Sequence, residues 1–286
     1  MGIDARLVVY AADQKSAEDA CSAAFDRIAQ LDSIMSDYRP NSELMQLCAK
    51  AGGPAIEVSP DLFKVLQRAQ QVSRQSQGAF DITVGPLIQL WRKARKTSVL
   101  PTPAEIKSAR KLVGWQKIRL DGPTRRVRLT VPGMKLDLGG IAKGYAGDAA
   151  QEVLKKHGIT RALVEMGGDI VVSDAPPDKK GWTLRSPNAG TNQGPVDLIV
   201  TNRAVSTSGD TEQFVVIGGK RYSHIVDPRT GNALTNRVQV TLIAPNGITS
   251  DPLTKTICVL HKKDSAKILK HYPLVKAYIK TLPGLQ

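Results

Sequence analysis

Aromatic residues make up only 5% of this 286-residue chain, so it lacks the rows of stacking platforms that single-stranded nucleic acid needs. Cysteine is scarcer still. Cys21, Cys48 and Cys258 are odd in number and have no metal-type spacing, which implies neither a disulfide framework nor a thiolate metal site. Cys21 lies in an Ala-rich helical pattern and Cys258 in the run Ile257-Cys258-Val259-Leu260, so both are expected to be buried as small hydrophobes. No apolar run is long enough to span a bilayer, so no integral membrane segment is expected in this chain. Internal repeats and low-complexity linkers are also absent, which excludes solenoids and tethered arrays.

What remains is an ordinary globular balance, 41% hydrophobic and 23% charged, read as one domain over residues 1–286. A formal charge of +14 and a pI near 9.8 suit an acidic ligand, a membrane surface or nucleic acid. The distribution decides against nucleic acid. Basic residues are scattered, and the short clusters Arg92 to Lys96, Lys179-Lys180 and Lys262-Lys263 read as solvated faces.

Periodicity and punctuation predict a strand from Ala5 to Ala11, a helix from Ser16 to Met35 with Ser16 as N-cap, and a short helix from Glu43 to Ala49. Ser59-Pro60-Asp61 opens a helix to about Gln77, and Pro103 to Leu112 forms another. Lys117 to Leu120 and Val127 to Val131 pair across Asp121-Gly122-Pro123, with their basic residues toward solvent. After a helix from Ile141 to Lys156 come strands Ala162 to Met166 and Asp169 to Ser173, then several short strands between Trp182 and Gly218. Arg221 to Val226 and Val238 to Ala244 are further strands, and a last helix begins near Ser250. Pro176 to Lys180 reads as an exposed insertion. This order predicts the α+β class.

Two motifs carry chemistry. In Tyr222-Ser223-His224-Ile225-Val226-Asp227-Pro228-Arg229-Thr230-Gly231, a strand delivers one of only four histidines to a turn that Asp227-Pro228 and Gly231 specify. His224 there suits general-base work or phosphate binding, although a plain surface histidine fits the segment equally. In Lys135-Leu136-Asp137-Leu138-Gly139-Gly140-Ile141-Ala142-Lys143-Gly144, a short strand enters a glycine pair and then a helix. Open backbone amides, the helix dipole and Lys143 favour an anion, with phosphate the natural candidate. The spacing matches neither the Walker A loop nor the dinucleotide fingerprint.

With these in place the chain resembles the ApbE-type FAD:protein FMN transferases from end to end. The ordered set carries the resemblance: Met1-Gly2, Met35-Ser36-Asp37-Tyr38 with Asn41-Ser42-Glu43-Leu44, Gly78-Ala79-Phe80-Asp81, Asp137 to Gly144, Gly167-Gly168-Asp169, Thr207-Ser208-Gly209-Asp210, and His224 to Gly231. It implies a two-lobed α+β fold with mixed sheets, flanking helices and a ligand cleft between the lobes. It also implies transfer of the FMN half of FAD to a Thr or Ser hydroxyl of an acceptor flavoprotein, with release of AMP. By the resemblance Met1 and Tyr38 lie beside the flavin or adenine, Ala79, Phe80 and Asp81 along the dinucleotide, Asp137 and Lys143 at the glycine turn, and Ile225 near His224, the candidate base.

The resemblance further implies a magnesium ion on the pyrophosphate, held by the Gly140 carbonyl, by Asp251 and by a threonine. Members usually read Asp-Ala-Leu-(small)-Thr-Ala, whereas this chain reads Asp251-Pro252-Leu253-Thr254-Lys255-Thr256, with Lys255 in the threonine's place. Asp251 and Lys255 share a helical face, so the ammonium is expected to pair with Asp251 and take the ion's position, unless Thr254 supplies a substitute hydroxyl or Lys255 turns to solvent. Pro252 is expected in a first helical turn, and Thr211 stands where an aromatic is usual. Two alternatives to transfer stay open, an FAD pyrophosphatase giving FMN and AMP, and a non-enzymatic FAD-binding protein. A bacterial cell-envelope or periplasmic location is expected if an export segment precedes the chain, and a cytoplasmic one otherwise.

Overall fold

Ala5 to Tyr10, with Leu7, Val8 and Val9 half-buried in succession, form the first strand of a six-stranded sheet whose pairings are all antiparallel. The computed structural model describes residues 4–186, 195–209 and 213–281, the side chains of 261–263 excepted. Met1 and Thr211 therefore lie outside the described residues.

In chain order the elements are β1 (Ala5–Tyr10), α1 (Gln14–Met35), α2 (Glu43–Ala49), β2 (Ile56–Glu57), α3 (Pro60–Gln75), α4 (Gly85–Thr97), α5 (Pro103–Arg110), β3 (Ile118–Asp121), β4 (Arg126–Leu129) and α6 (Ala142–Lys156). There follow β5 (Arg161–Met166), β6 (Asp169–Val172), β7 (Trp182–Ser186), β8 (Val196–Val200), β9 (Arg203–Gly209), β10 (Phe214–Ile217), β11 (Lys220–Ser223), β12 (Val238–Ala244), α7 (Gly247–Leu269) and β13 (Lys276–Thr281). The large sheet runs β1-β5-β6-β9-β12-β13.

Period-2 alternation gives this sheet two packed faces. Ala162, Val164 and Met166 of β5 and Val240 and Leu242 of β12 join the main core with α1, α3, α6 and α7. Leu163, Val172 and Val205 point the other way, onto Trp182, Leu184, Leu198 and Val200 of the β7–β8 hairpin. A third cluster joins Leu87, Trp91 and Ala94 of α4 to Ala109 of α5 and to Val226 and Ala233.

Several expectations need correction. Asp13, not Ser16, caps α1, since its Oδ1 accepts the Ser16 N–H at 2.8 Å. Lys135 to Leu138 is not laddered into a sheet; Leu136 N–H meets Cys48 Sγ at 3.3 Å and Asp137 N–H meets the Ile82 carbonyl at 2.8 Å. The strand expected from Arg221 to Val226 stops at Ser223, and beyond it Val226 bridges Ala233. Helix α7 starts at Gly247, so Pro252 falls past the first turn, where it forfeits a backbone hydrogen bond. Cys258 is buried as expected, but Cys21 is only half-buried because it flanks the packed stripe of α1. The helix α4 and the edge strand β13 are additional to the expected elements.

Candidate active site

The sheet, α4, the glycine turn and the α7 face enclose a cleft of about 400 Å³. Tyr38, Ala79, Phe80, Asp81, Asp137, Gly140, Lys143, His224 and Ile225 all line it, while Asp251 lies wholly buried beneath its floor.

The chain positions His224 tightly. Gly218 and Gly219, both at positive φ, make the two-residue turn of the β10–β11 hairpin, and β11 ends at Ser223, one residue before the histidine. On the far side the Asp227–Gly231 turn closes through the Gly231 N–H to the Asp227 carbonyl at 2.8 Å, and Trp91 Nε1 of α4 donates to the Gly231 carbonyl at 2.9 Å. Between these anchors the Gln213 carbonyl accepts from the His224 backbone N–H at 3.0 Å and lies 3.1 Å from Nδ1. A carbonyl can only accept, so Nδ1 carries the proton and Nε2 keeps its lone pair. Burial pushes the imidazole pKa down to about 4. The Gln213 carbonyl opposes this, while the cations Lys255, Arg95 and Lys143 add to it. The ring is therefore a neutral base at physiological pH.

At the floor, α6 begins without a side-chain cap, and the carboxylates beneath it are served by lysines. Lys143 Nζ pairs with Asp169 and lies 3.7 Å from Asp251 Oδ1, which also pairs with Lys255 Nζ. Burial alone would lower the Lys143 pKa, but the Asp251 and Asp169 carboxylates outweigh it and hold the ammonium protonated. Burial would likewise raise Asp251, yet Lys143 and Lys255 keep its pKa below the ordinary value. Asp251 Oδ2 accepts the Gly144 N–H at 3.1 Å, whereas Asp169 Oδ1 is buried without a hydrogen-bond partner.

The α4 wall is built around a salt link, so the basic cluster from Arg92 is not wholly solvated as expected. Arg92 pairs with Asp37 and with Asp137, the latter at 3.0 Å, and its guanidinium lies 4.6 Å from the ring centroid of Tyr38, which is 68% exposed. Asp137 also braces the glycine turn by accepting the Gly139 N–H at 2.8 Å. Burial, reinforced by the Asp37 charge, raises its pKa against the pull of Arg92. Asp81 is tied up similarly, accepting from the Thr83 N–H at 2.8 Å and the Trp115 N–H at 2.7 Å. Arg95, one turn beyond Arg92, lines the cleft with neither ion pair nor hydrogen bond among the described residues. Arg92, Arg95 and Asp169 are the residues that sequence reasoning did not single out. The Gly167-Gly168-Asp169 motif signals the last, and nothing local signals the arginines.

The residues do not fit the divalent ion that the resemblance implies. A Cβ on Gly140 would stand 3.7 Å from Lys255 Cγ, so the lysine stem passes over Gly140 and its ammonium sits on Asp251. Thr254 offers no replacement. Its Oγ1 donates to the Asp251 carbonyl at 2.7 Å, lies 2.8 Å from Ser208 Oγ, and is buried away from the cleft.

The ApbE family model matches residues 1–279. The FAD:protein FMN transferase of Klebsiella pneumoniae (strain 342) is 32% identical over 254 residues, 88% of this chain and 77% of its own length. That of Treponema pallidum (strain Nichols) is 33% identical over 276 residues, 90% and 76% of the two chains. The apo form of the Pseudomonas stutzeri flavinyl transferase ApbE superposes with a TM-score of 0.85 at 26% identity, covering 99% of this chain and 92% of that one. The flavin transferase ApbE from Vibrio cholerae does so with 0.85 at 27%, covering 99% and 94%.

Proposed function

The chain belongs to the ApbE family, and we propose that it is an FAD:protein FMN transferase acting on a Thr or Ser hydroxyl of an acceptor flavoprotein. The observation that carries the mechanism is His224, a neutral imidazole whose Nδ1–H is committed to Gln213 and whose Nε2 opens on a cleft with lysines at its floor. Nε2 takes the proton of the acceptor hydroxyl as its oxygen attacks the phosphorus of the FMN half. A P–O bond forms to the acceptor, the P–O bond to AMP breaks, and AMP leaves with its electron pair. Such displacements depend mostly on alignment and charge neutralisation, which Lys143 and Lys255 supply to the diphosphate; the Gly139, Ile141, Ala142 and Gly144 amides are already bonded within the chain.

The remaining lining residues position the dinucleotide. Tyr38, already stacked on Arg92, presents an exposed ring to a flat heterocycle, and Phe80 and Ile225 give apolar contact beside it. Ala79, Asp81 and Asp137 shape the wall along the diphosphate, with Asp81 spent on backbone N–H groups and Asp137 divided between the Gly139 N–H and Arg92.

Intact-mass spectrometry is the test. The purified chain, FAD and an acceptor flavoprotein modified by the Klebsiella relative should give acceptor carrying one FMN plus stoichiometric AMP, and His224→Ala should slow this by about 10²–10⁴-fold. FAD splitting to FMN and AMP with unmodified acceptor would replace this reading with a pyrophosphatase. FAD binding without turnover would replace it with a binding protein.

A further inference from the structure

Two cations, Lys255 of α7 and Arg95 of α4, line the cleft. Lys255 threads its stem across Gly140 to reach Asp251, so its ammonium holds the carboxylate that a divalent ion would need there. One N–H goes to Asp251, which leaves donors for a ligand. Arg95, on the α4 wall, is half-buried, three residues from the Arg92 guanidinium, and has no ion pair among the described residues. Arg92 differs in having both Asp37 and Asp137. A guanidinium held half-buried beside a like charge is unfavourable unless an anion completes the arrangement. The pKa of Arg95 shows this tension. Burial lowers it first and Arg92 next, outweighing the pull of Tyr38 and Asp137. Arg95 and Lys255 belong to one locus, since both line the cleft together with His224.

We infer that Lys255 and Arg95 together take the place of a divalent cation in this chain, gripping the FAD diphosphate from the α7 and α4 sides so that binding and transfer proceed without metal. An ammonium and a guanidinium provide two positive charges with directed donors, and the guanidinium fork matches phosphate oxygens in pairs. Magnesium added beside the Lys255 ammonium meets repulsion at short range. The transfer part of the inference rests on the transferase reading, whereas the binding part stands without it.

The experiment uses the full chain and has two arms. In the binding arm, magnesium alone is titrated calorimetrically, and FAD and riboflavin affinities are measured by flavin fluorescence in chelator and in magnesium. The expected result is no saturable magnesium binding, FAD affinity equal within about twofold in both buffers, and FAD binding weakened about tenfold or more by Arg95→Gln with riboflavin binding unchanged. Lys255→Thr should make FAD affinity magnesium-dependent. Because that variant removes a partner of the buried Asp251, circular dichroism establishes its fold, and the wild type and Arg95→Gln carry the test if it does not fold.

Saturable magnesium binding that tightens FAD tenfold in the wild type would overturn the inference, as would unchanged FAD affinity in Arg95→Gln. In the transfer arm, acceptor labelling should be the same in chelator and in magnesium, and labelling abolished by chelator would overturn the inference. If FAD binds as described and no acceptor is labelled in either buffer, the transferase reading fails and the cation pair stands.

Discussion

A histidine whose pKa is near 4 leaves a signature in the pH dependence of transfer, measured as kcat/KM for FAD, which reports the free protein. The direction follows from the surroundings of His224. Burial disfavours the imidazolium first, the Gln213 carbonyl favours it, and Lys255, Arg95 and Lys143 disfavour it again. With a pKa of about 4, roughly 97% of the molecules hold the base form at pH 5.5, against about 10% for an unperturbed histidine near 6.5. The rate attributable to this group should thus be nearly flat from pH 7.5 to 5.5 and fall only as pH approaches 4. Removing a neighbouring cation, by Lys255→Met or Arg95→Gln, makes the imidazolium easier to form and should move the acid limb upward, whatever it does to the plateau. His224→Ala should lose the limb along with most of the rate. A wild-type midpoint near 6.5, or a limb that neither cation variant displaces, would refute the assignment of His224 to this electrostatic environment.

Two further predictions concern the frame under the site. A Cβ at Gly144 would stand 2.8 Å from Asp251 Cβ and would press on the Gly247 carbonyl, so Gly144→Ala should force α6 from α7 and cost about 1–3 kcal/mol in urea denaturation. An effect below about 0.5 kcal/mol would show that the helices separate freely. Asp148 accepts from the Gly247 and Ile248 N–H groups at 2.6 and 2.8 Å, yet burial raises its pKa from 3.8 to about 6 against those bonds. The folded chain therefore holds a proton that the unfolded chain releases, and this contribution to stability is full below pH 4 and lost as pH rises through 6. Urea melts at pH 4, 5 and 6 should show wild type losing ground to Asp148→Asn, and a constant difference would contradict the raised pKa.

The parts of the site that were legible in sequence are those fixed by neighbours in the chain. His224 sits between a strand and an Asp-Pro turn, and Lys143 sits in the first turn after a glycine pair, so local punctuation places both. The pairing of Lys255 with Asp251 also follows from spacing, because i and i+4 share a helix face. Arg92 and Arg95 were hidden for the opposite reason. A basic cluster on a helix reads as solvated, and only Asp37 and Asp137, remote in sequence, turn Arg92 inward. Helix α4 does carry a signal of its own, a Pro in its first turn and the apolar stripe Leu87, Trp91 and Ala94 at helical spacing. Gln14 and Lys15 carry no apolar periodicity, so nothing in the pattern marks Gln14 as the start of α1. The short strand β13 is defined by its partner β12 and not by its own residues.

The cleft draws its walls from stretches as far apart in the chain as Met35 and Val259. A ligand seated there acts as a non-covalent crosslink, since it cannot stay bound unless both ends of the chain are folded around it. FAD at about a hundred times its dissociation constant should then add about 2.7 kcal/mol to unfolding. That is comparable to the cost predicted for Gly144→Ala, so a chain weakened at the α6–α7 crossing would regain most of its stability when saturated with FAD and lose it again on dialysis.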